Sequence, residues 1–274
     1  TEHDELTKEK RALNKLLKSK DLRQKRIAAE ITEMKKKFGD KTEDGKRRTE
    51  IGDAPSVIDV PMEAFIEKEP VTVICSEKGW IKAAKGHLEN VSEVKYKDGD
   101  RDKFSFHAET TDKILLFATN GRFYSISCDK LPGGRGFGEP VRLMIDLGNE
   151  HDIVALYLFK PGEKFLVASS AGRGFVVKSD DVMAQTKNGK KVLNVKGDDE
   201  AIACCTVAGD HVAVIGDNRK LLLFPLDEVP EMGRGRGVIL QRYKDGGLAD
   251  VKTFAKAEGL SWKTGDRTRT ATDL

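Results

Sequence analysis

Over residues 1 to about 38 the apolar positions Leu6, Leu13, Leu17, Ile27, Ile31, Met34 and Phe38 recur at helical spacing among Lys, Glu and Ala, with no Pro or Gly between them. That spacing lays a narrow apolar stripe along one side of a helix. The stripe is too thin for self-sufficiency and predicts packing against another helix, as in one half of an antiparallel coiled coil. The helix is expected to stop at Gly39-Asp40. Lys41 to Pro55, polar and broken by Gly and Pro, reads as a linker. The expected organisation is a helical coiled-coil end over 1–40, a linker over 41–60 and a β-rich domain over 61–274.

Beyond the linker the period shortens and a unit repeats. Val71-Thr-Val-Ile-Cys-Ser-Glu-Lys-Gly79-Trp-Ile-Lys, Ile114-Leu-Leu-Phe-Ala-Thr-Asn-Gly121-Arg-Phe-Tyr, Phe165-Leu-Val-Ala-Ser-Ser-Ala-Gly172-Arg-Gly-Phe and Val212-Ala-Val-Ile-Gly-Asp-Asn-Arg219-Lys-Leu-Leu share one plan: an apolar strand, a polar tight turn and a second strand. The turns supply the positive-φ residues that a hairpin needs, and Arg219 in the glycine slot makes the fourth copy less regular. With a weaker fifth copy over Leu260-Ser-Trp-Lys-Thr-Gly265-Asp-Arg-Thr-Arg-Thr, the turns recur about every 42 to 51 residues. Between hairpins a second strand pair is expected in each repeat: Val141–Ile145 with Ile153–Leu158, Val192–Val195 with Ala201–Val207, and Val238–Tyr243 with Leu248–Phe254. A four-stranded unit of this size cannot bury its own faces, whereas radial stacking covers both faces and edges. The expected fold is therefore mainly β: a five-bladed, propeller-like β-pinwheel of four-stranded blades, preceded by an N-terminal α-helix. A closed ring and an open spiral both satisfy the pattern.

Composition narrows the functional classes. At 38% hydrophobic, the 274 residues hold enough apolar material for one substantial core. The longest apolar runs, Ile114 to Ala118 and Leu221 to Leu226, fall far short of the roughly 20 residues that span a bilayer, so no membrane association is expected. The opening Thr-Glu-His-Asp-Glu, with neither Met nor an apolar signal segment, reads as a cut from a longer protein. Cys75, Cys128, Cys204 and Cys205 fit neither a zinc site nor a disulfide framework and read as buried thiols in a reducing cytoplasm. The net charge of +3 hides an asymmetry: residues 1–50 carry 16 Lys/Arg against 11 Asp/Glu, leaving 32 against 34 for 51–274. Nucleic-acid affinity in the β domain must therefore come from a local strip of cations.

Such a strip is present. The loops Leu131-Pro-Gly-Gly-Arg135-Gly-Phe-Gly138, Lys187-Asn-Gly-Lys190-Lys191 and Glu231-Met-Gly-Arg234-Gly-Arg236-Gly237 recur at one place in the repeat and are expected along one edge of the disc. Glycine lets the backbone approach a phosphate, while Arg and Lys neutralise its oxygens and release counterions. Arg135, Lys187, Lys190, Lys191, Arg234 and Arg236 are thus the candidate DNA-binding residues, with Arg242 and Lys244 extending the third loop's strip. Arg122, Arg173, Arg219 and Lys220 sit in hairpin turns and read as solvated cations on a different face. Trp80 and Trp262 read as core or inter-blade residues. Enzyme chemistry is missing from the sequence: it has no G-x-x-x-x-G-K-[ST], H-E-x-x-H or G-x-S-x-G. Asp98-Gly-Asp100 reads as a solvated turn, and Gly133–Gly138 lacks the following helix that a dinucleotide loop requires. No catalytic, cofactor-binding or metal-ligating residue is assigned.

Lys37-Phe38-Gly39-Asp40 followed by Arg47-Arg48-Thr49-Glu50-Ile51 resembles the Lys-Phe-Gly-Asp-x-Arg-Arg-Thr-Glu-Ile signature that ends the coiled-coil arm of type IIA topoisomerase A subunits, with Lys41–Lys46 as an insertion. The repeats from about 70 onward are similar to the C-terminal β-pinwheel of the same subunits. Neither Gly133–Gly138 nor Glu231–Gly237 matches the Gln-Arg-Arg-Gly-Gly-Lys-Gly box of the gyrase branch. With about five repeats in place of six, the chain resembles the topoisomerase IV branch more. The resemblance implies a non-catalytic domain that binds and bends the transported duplex and so guides ATP-dependent strand passage, decatenation and relaxation. It implies a bacterial, cytoplasmic, nucleoid-associated assembly of two A and two B subunits whose ATP and Mg²⁺ serve other parts, with no cofactor in this chain. It also implies a cleaving tyrosine outside this stretch, since Tyr96, Tyr124, Tyr157 and Tyr243 lack the family's catalytic context. The isolated chain is expected to be monomeric. Two alternatives stay open: gyrase-type DNA wrapping, and a protein-interaction propeller favoured by the near-neutral charge of 51–274.

Overall fold

The computed structural model describes residues 1–39, 41–46, 66–90, 94–134, 136–244, 246–265 and 267–273, and the chain divides into two units, Thr1–Val60 and Pro61–Leu274. Good helix formers dominate residues 1–38, and this stretch is helical, but in two pieces. α1 (Glu2–Lys18) and α2 (Lys20–Phe38) meet at Ser19, whose backbone is extended (φ −111°, ψ 119°) and whose hydroxyl accepts a hydrogen bond from the Leu22 N–H at 3.4 Å. A serine oxygen competes well for the orphan N–H groups of a helix start, so the single expected helix is corrected to a pair. α2 ends at Phe38 with Gly39 as its C-cap. Leu6, Leu13, Leu17, Ile27, Ile31, Met34 and Phe38 are all exposed. Asp40, the motif residues Arg47–Ile51 and the rest of the expected linker after Lys46 lie outside the described residues.

In the second unit every turn read from the sequence joins a hairpin. β1 (Pro70–Ser76) and β2 (Trp80–Lys85) flank Gly79, and β4 (Lys113–Ala118) and β5 (Arg122–Ser127) flank Gly121. β8 (Lys164–Ser169) and β9 (Arg173–Lys178) flank Gly172, while β12 (His211–Gly216) and β13 (Leu221–Pro225) flank Arg219. β16 (Leu260–Thr264) and β17 (Arg267–Ala271) complete the series around Gly265. Arg219 takes the glycine-like conformation that its slot demands, with φ 61°.

The remaining strands cross between repeats. β3 (Asp102–Glu109), β7 (Ile153–Leu158), β11 (Ala201–Thr206) and β15 (Leu248–Phe254) each lead into the next hairpin, yet pair with the first strand of the hairpin before it: β1, β4, β8 and β12. The two-residue strands β6 (Glu139–Pro140), β10 (Lys190–Lys191) and β14 (Val238–Ile239) follow one hairpin and reach back to the second strand of the preceding one: β2, β5 and β9. The sheets are β3-β1-β2-β6, β10-β5-β4-β7, β11-β8-β9-β14, β13-β12-β15 and β16-β17. The expected second strand pairs are thereby corrected. Val141–Leu143 is a 3-10 turn, and neither Val192–Val195 nor Val238–Tyr243 pairs with the strand proposed for it. Among the described residues three sheets, not five, have four strands.

Alternation within strands builds the core. Ile114 and Leu116 join Val73, Ile81 and Tyr124 between the first and second sheets, while Leu115 and Phe117 join Phe165, Val167 and Phe175 between the second and third. Leu166, Ala168, Val212 and Val214 continue the stack to the fourth sheet. The second and third sheets are buried on both faces, which accounts for their unbroken apolar runs. β3, β7, β11 and β15 touch from sheet to sheet, so this edge faces the common axis and the edge carrying β6, β10 and β14 faces outward. The Tyr157 hydroxyl on β7 donates to the Cys204 carbonyl on β11 at 2.5 Å, tying two sheets near that axis.

Burial also governs the thiols. Cys75, Cys128 and Cys204 are buried and Cys205 is half-buried. Desolvation pushes Cys75 and Cys128 up to about 12 and Cys205 up to about 11, and holds Cys204 well above its ordinary value. The thiolate is the reacting species, so all four cysteines are expected to resist a chromogenic disulfide reagent at neutral pH in the native protein. All four should react in denaturant; prompt reaction of Cys75 or Cys128 in the native state would contradict their seating.

Candidate nucleic-acid interface

Strand exchange places the basic loops at the outer edge, because each loop contains or leads into β6, β10 or β14. The receiving hairpins hold them by main-chain hydrogen bonds: Ala83 N–H donates to the Pro132 carbonyl at 2.9 Å, and Val176 N–H to that of Pro230 at 3.0 Å. Successive loops are also linked in series. Asp146, just after the first loop, donates its N–H to the Lys187 carbonyl at 2.9 Å in the second. Asn194, just after the second, donates to the Gly235 carbonyl at 2.7 Å in the third, and Gly235 N–H returns a bond to Val192 at 3.0 Å. Gly237 has φ 71°, and a β-carbon there would overlap the Gly174 carbonyl, so glycine is what lets the third loop lie this close to β9.

Arg135 lies outside the described residues. Lys187, Lys190, Arg234, Arg236, Arg242 and Lys244 are exposed and Lys191 is half-buried. Among the described residues none of these seven forms an ion pair, whereas Arg101, Lys85 and Lys68 are paired with Glu77, Glu69 and Glu109 at 2.8, 3.4 and 2.7 Å. The structure brings Lys187 and Lys190 together with Lys113 and Lys130 around a groove of about 810 Å³ that also includes Asp180. Lys113 opens β4 and Lys130 closes a short 3-10 turn; neither carries a sequence signal, since a lone lysine at a strand start is ordinary. Arg242 and Lys244 flank Tyr243, whose ring lies against Gly172 and Gly216. They therefore sit beside the turn of the third hairpin and not in the loop itself.

The turn cations require a correction. Arg122 Nη1 donates to the carbonyls of Asn188 at 2.9 Å and Gly189 at 3.2 Å, and Arg173 Nη1 donates to that of Gly237 at 3.2 Å. Lys82 Nζ makes the corresponding bond to Gly136 at 2.8 Å. Arg122 and Arg173 thus lie on the loops' own edge, each gripping a loop carbonyl from the receiving hairpin. The sequence signal was a basic residue repeated directly after the turn glycine; its partner, over sixty residues away, was not visible.

Glu231 pins the start of the third loop, with its carboxylate 2.6 Å from Lys164 Nζ and 2.8 Å from Lys178 Nζ. Those hydrogen bonds hold its carboxyl below the ordinary range. A depressed carboxyl contributes its anchor at neutral pH and loses it as pH falls through the folded-state value. Glu231→Gln is expected to speed amide hydrogen exchange at Met232–Arg236 at pH 7. In the unaltered chain the same acceleration should appear only in acid; identical exchange in the two proteins at pH 7 would remove the anchor.

Other sequence candidates resolve differently. The Lys97 ammonium lies 3.5 Å from the Trp80 ring centroid, a cation–π contact on a half-buried ring. Trp262 is 45% exposed and lines an open groove with Leu221 and Val251 of the fourth sheet, so a core position is excluded. Asp100 accepts from the Ser76 hydroxyl at 2.6 Å and from the Lys78 and Arg101 N–H groups at 3.1 and 2.9 Å, organising the Gly79 turn.

The family described as DNA gyrase C-terminal domain, beta-propeller, matches residues 112–160, 163–204 and 210–250. Each segment opens one residue before β4, β8 or β12, in step with the hairpin repeat. The DNA topoisomerase 4 A subunit of Rickettsia bellii is 44% identical over 272 residues, 98% of this chain and 36% of the relative. The protein of the same name from Caulobacter vibrioides is 50% identical over 216 residues, 78% of this chain and 28% of the relative. The chain spans about a third of the length of these curated relatives. A solved structure of the E. coli ParC C-terminal domain superposes with a TM-score of 0.65 at 27% identity, covering 73% of this chain and 85% of that one. The crystal structure of the C-terminal domain of DNA topoisomerase IV shares the fold, with a TM-score of 0.63 at 20% identity over 72% of this chain and 65% of that one.

Proposed function

Because the chain belongs to the DNA gyrase C-terminal β-propeller family, we propose that it is a non-catalytic DNA-binding and bending domain of a topoisomerase IV A-type polypeptide. Its outer edge engages the transported duplex. The observation that carries this reading is the series of glycine-rich loops along the outer edge, each hydrogen-bonded to the connector that follows the loop before it, whose described cations form no ion pairs. Duplex DNA carries one negative charge per roughly 1.7 Å of axis, and cations not held in ion pairs release its counterions. The contacts are to phosphate, so binding tracks the backbone and is largely indifferent to sequence. A duplex following a convex edge must bend. Bending 20–30 base pairs by 40–90° costs about 1–6 kcal/mol, which several phosphate contacts offset.

In the whole protein this grip guides which segment reaches the strand-passage gate during decatenation and relaxation. ATP, Mg²⁺ and the cleaving tyrosine belong to other parts of a cytoplasmic assembly of two A and two B subunits. Fluorescence anisotropy of a labelled duplex, titrated with the chain at several salt concentrations, tests the reading. Saturable binding that weakens steeply with salt is expected; absence of binding at about 50 mM salt, where phosphate contacts are strongest, would overturn it.

A further inference from the structure

The outer edge of the fourth sheet lacks what the other three have. β2, β5 and β9 each carry a two-residue strand there, whereas β13 pairs only with β12 among the described residues. The hairpin registers make the positions equivalent: Ile81, Phe123, Gly174 and Leu221 stand opposite Cys75, Phe117, Ala168 and Ile215. Ile81 and Phe123 are 0% exposed, but Leu221 is 50% exposed. One position on, Tyr124 and Phe175 are 0% exposed and Leu222 is 40% exposed. Leu221 lines an open, largely apolar groove of about 340 Å³ with Ala213, Ile215, Val251, Leu260 and Trp262.

A second observation concerns the cation at this edge. By the same register Lys220 occupies the place of Arg122 and Arg173, whose guanidinium groups grip glycine carbonyls of the incoming loops. Among the described residues the Lys220 ammonium has no hydrogen bond or ion pair; only its backbone is bonded, the N–H to Asn218 Oδ1 at 3.0 Å and the carbonyl to the Gly216 N–H at 3.2 Å. An unpaired strand edge with exposed leucines is a liability unless something covers it. Here the apolar seat, the main-chain edge and the carbonyl-gripping cation coincide.

We propose that the outer edge of β13 docks an extended glycine-rich, basic peptide segment ending in two aliphatic residues, the chemistry that Gly233–Ile239 presents to β9. The aliphatic ending is favoured over the Lys-Lys of β10 because Leu221 and Ile215, paired across the hairpin, share one apolar face. Strand addition supplies the affinity through main-chain hydrogen bonds and the specificity through the side chains seated alongside. Glycine just before the strand allows the close approach that Gly237 makes to Gly174. This site is independent of the DNA-binding reading, and each stands if the other fails.

The test titrates a synthetic peptide of sequence Glu231–Gln241 into the full chain carrying Trp80→Phe, which leaves Trp262 as the only tryptophan. Expected results are a saturable blue shift of Trp262 emission and slowed amide exchange at Leu221–Phe224. A peptide with Asp at the Val238 and Ile239 positions, and a chain with Lys220→Glu, should each bind at least about tenfold more weakly. Circular dichroism of the Lys220→Glu chain should match that of the unaltered chain, because the side chain is exposed. No saturable response at about 1 mM peptide, or an equal response to the Asp-containing peptide, would overturn the proposal. So would protection of Leu221–Phe224 through concentration-dependent dimers in peptide-free protein, since the edge would then belong to a second copy.

Discussion

Replacing Lys187, Lys190, Lys191, Arg234 and Arg236 together by alanine is expected to flatten the salt dependence of duplex binding while leaving the fold intact. Each phosphate neutralised adds about −0.9 to the slope of log K against log salt, so five lost contacts should make the slope shallower by about 4.5. Between 50 and 200 mM salt, binding by the unaltered chain should therefore fall on the order of 500-fold further than binding by the variant. Stability should change little, because these side chains are exposed or half-buried and none is in an ion pair among the described residues. Arg101→Ala with Lys85→Ala is the matched comparison, since Glu77 and Glu69 already neutralise those charges. Its slope should stay near that of the unaltered chain; equal slopes for all three proteins would put the DNA elsewhere.

Gly121→Ala should produce a large loss of stability for so small a substitution. Gly121 has φ 71°, and its carbonyl accepts the N–H groups of Val192 and Leu193, both at 3.0 Å. A β-carbon there would overlap the Leu193 carbonyl. The substitution thus combines left-handed strain of about 1 kcal/mol or more with displacement of the connector that carries β10. A loss of about 3 kcal/mol or more is expected in urea denaturation. Gly86→Ala isolates the strain: Gly86 has φ 81° and nothing within 4 Å of the added carbon, so about 1 kcal/mol should be lost. Equal losses at the two positions would mean that the returning connector contributes nothing.

The contrast between these two glycines marks where sequence reading stops. All five hairpins were legible because the information is local: an apolar run, a turn residue that accepts positive φ, and a second run. Arg219 shows how far this reaches, since the repeat identified its slot despite the missing glycine. The exchange of strands between blades was hidden. A period of two records that a residue lies in a sheet but not in which sheet, and β6, β10 and β14 are too short to show any period. Ser19 broke a helix that Leu, Lys and Glu favour on both sides, through a single capping bond. The basic loops were visible through glycine and charge together. The grip of Arg122 and Arg173 on those loops was not, because each partner comes from the connector after the next hairpin.

Lysine acetylation of the chain with and without saturating duplex, read by peptide mass spectrometry, tests most directly whether DNA lies along the outer edge. Lys187, Lys190, Lys191 and Lys130 should become protected, while Lys85, Lys196 and Lys256 keep their reactivity. Protection confined to lysines of the axis-facing strands, such as Lys103 and Lys252, or unchanged labelling of Lys187, Lys190 and Lys191 at saturation, would contradict it.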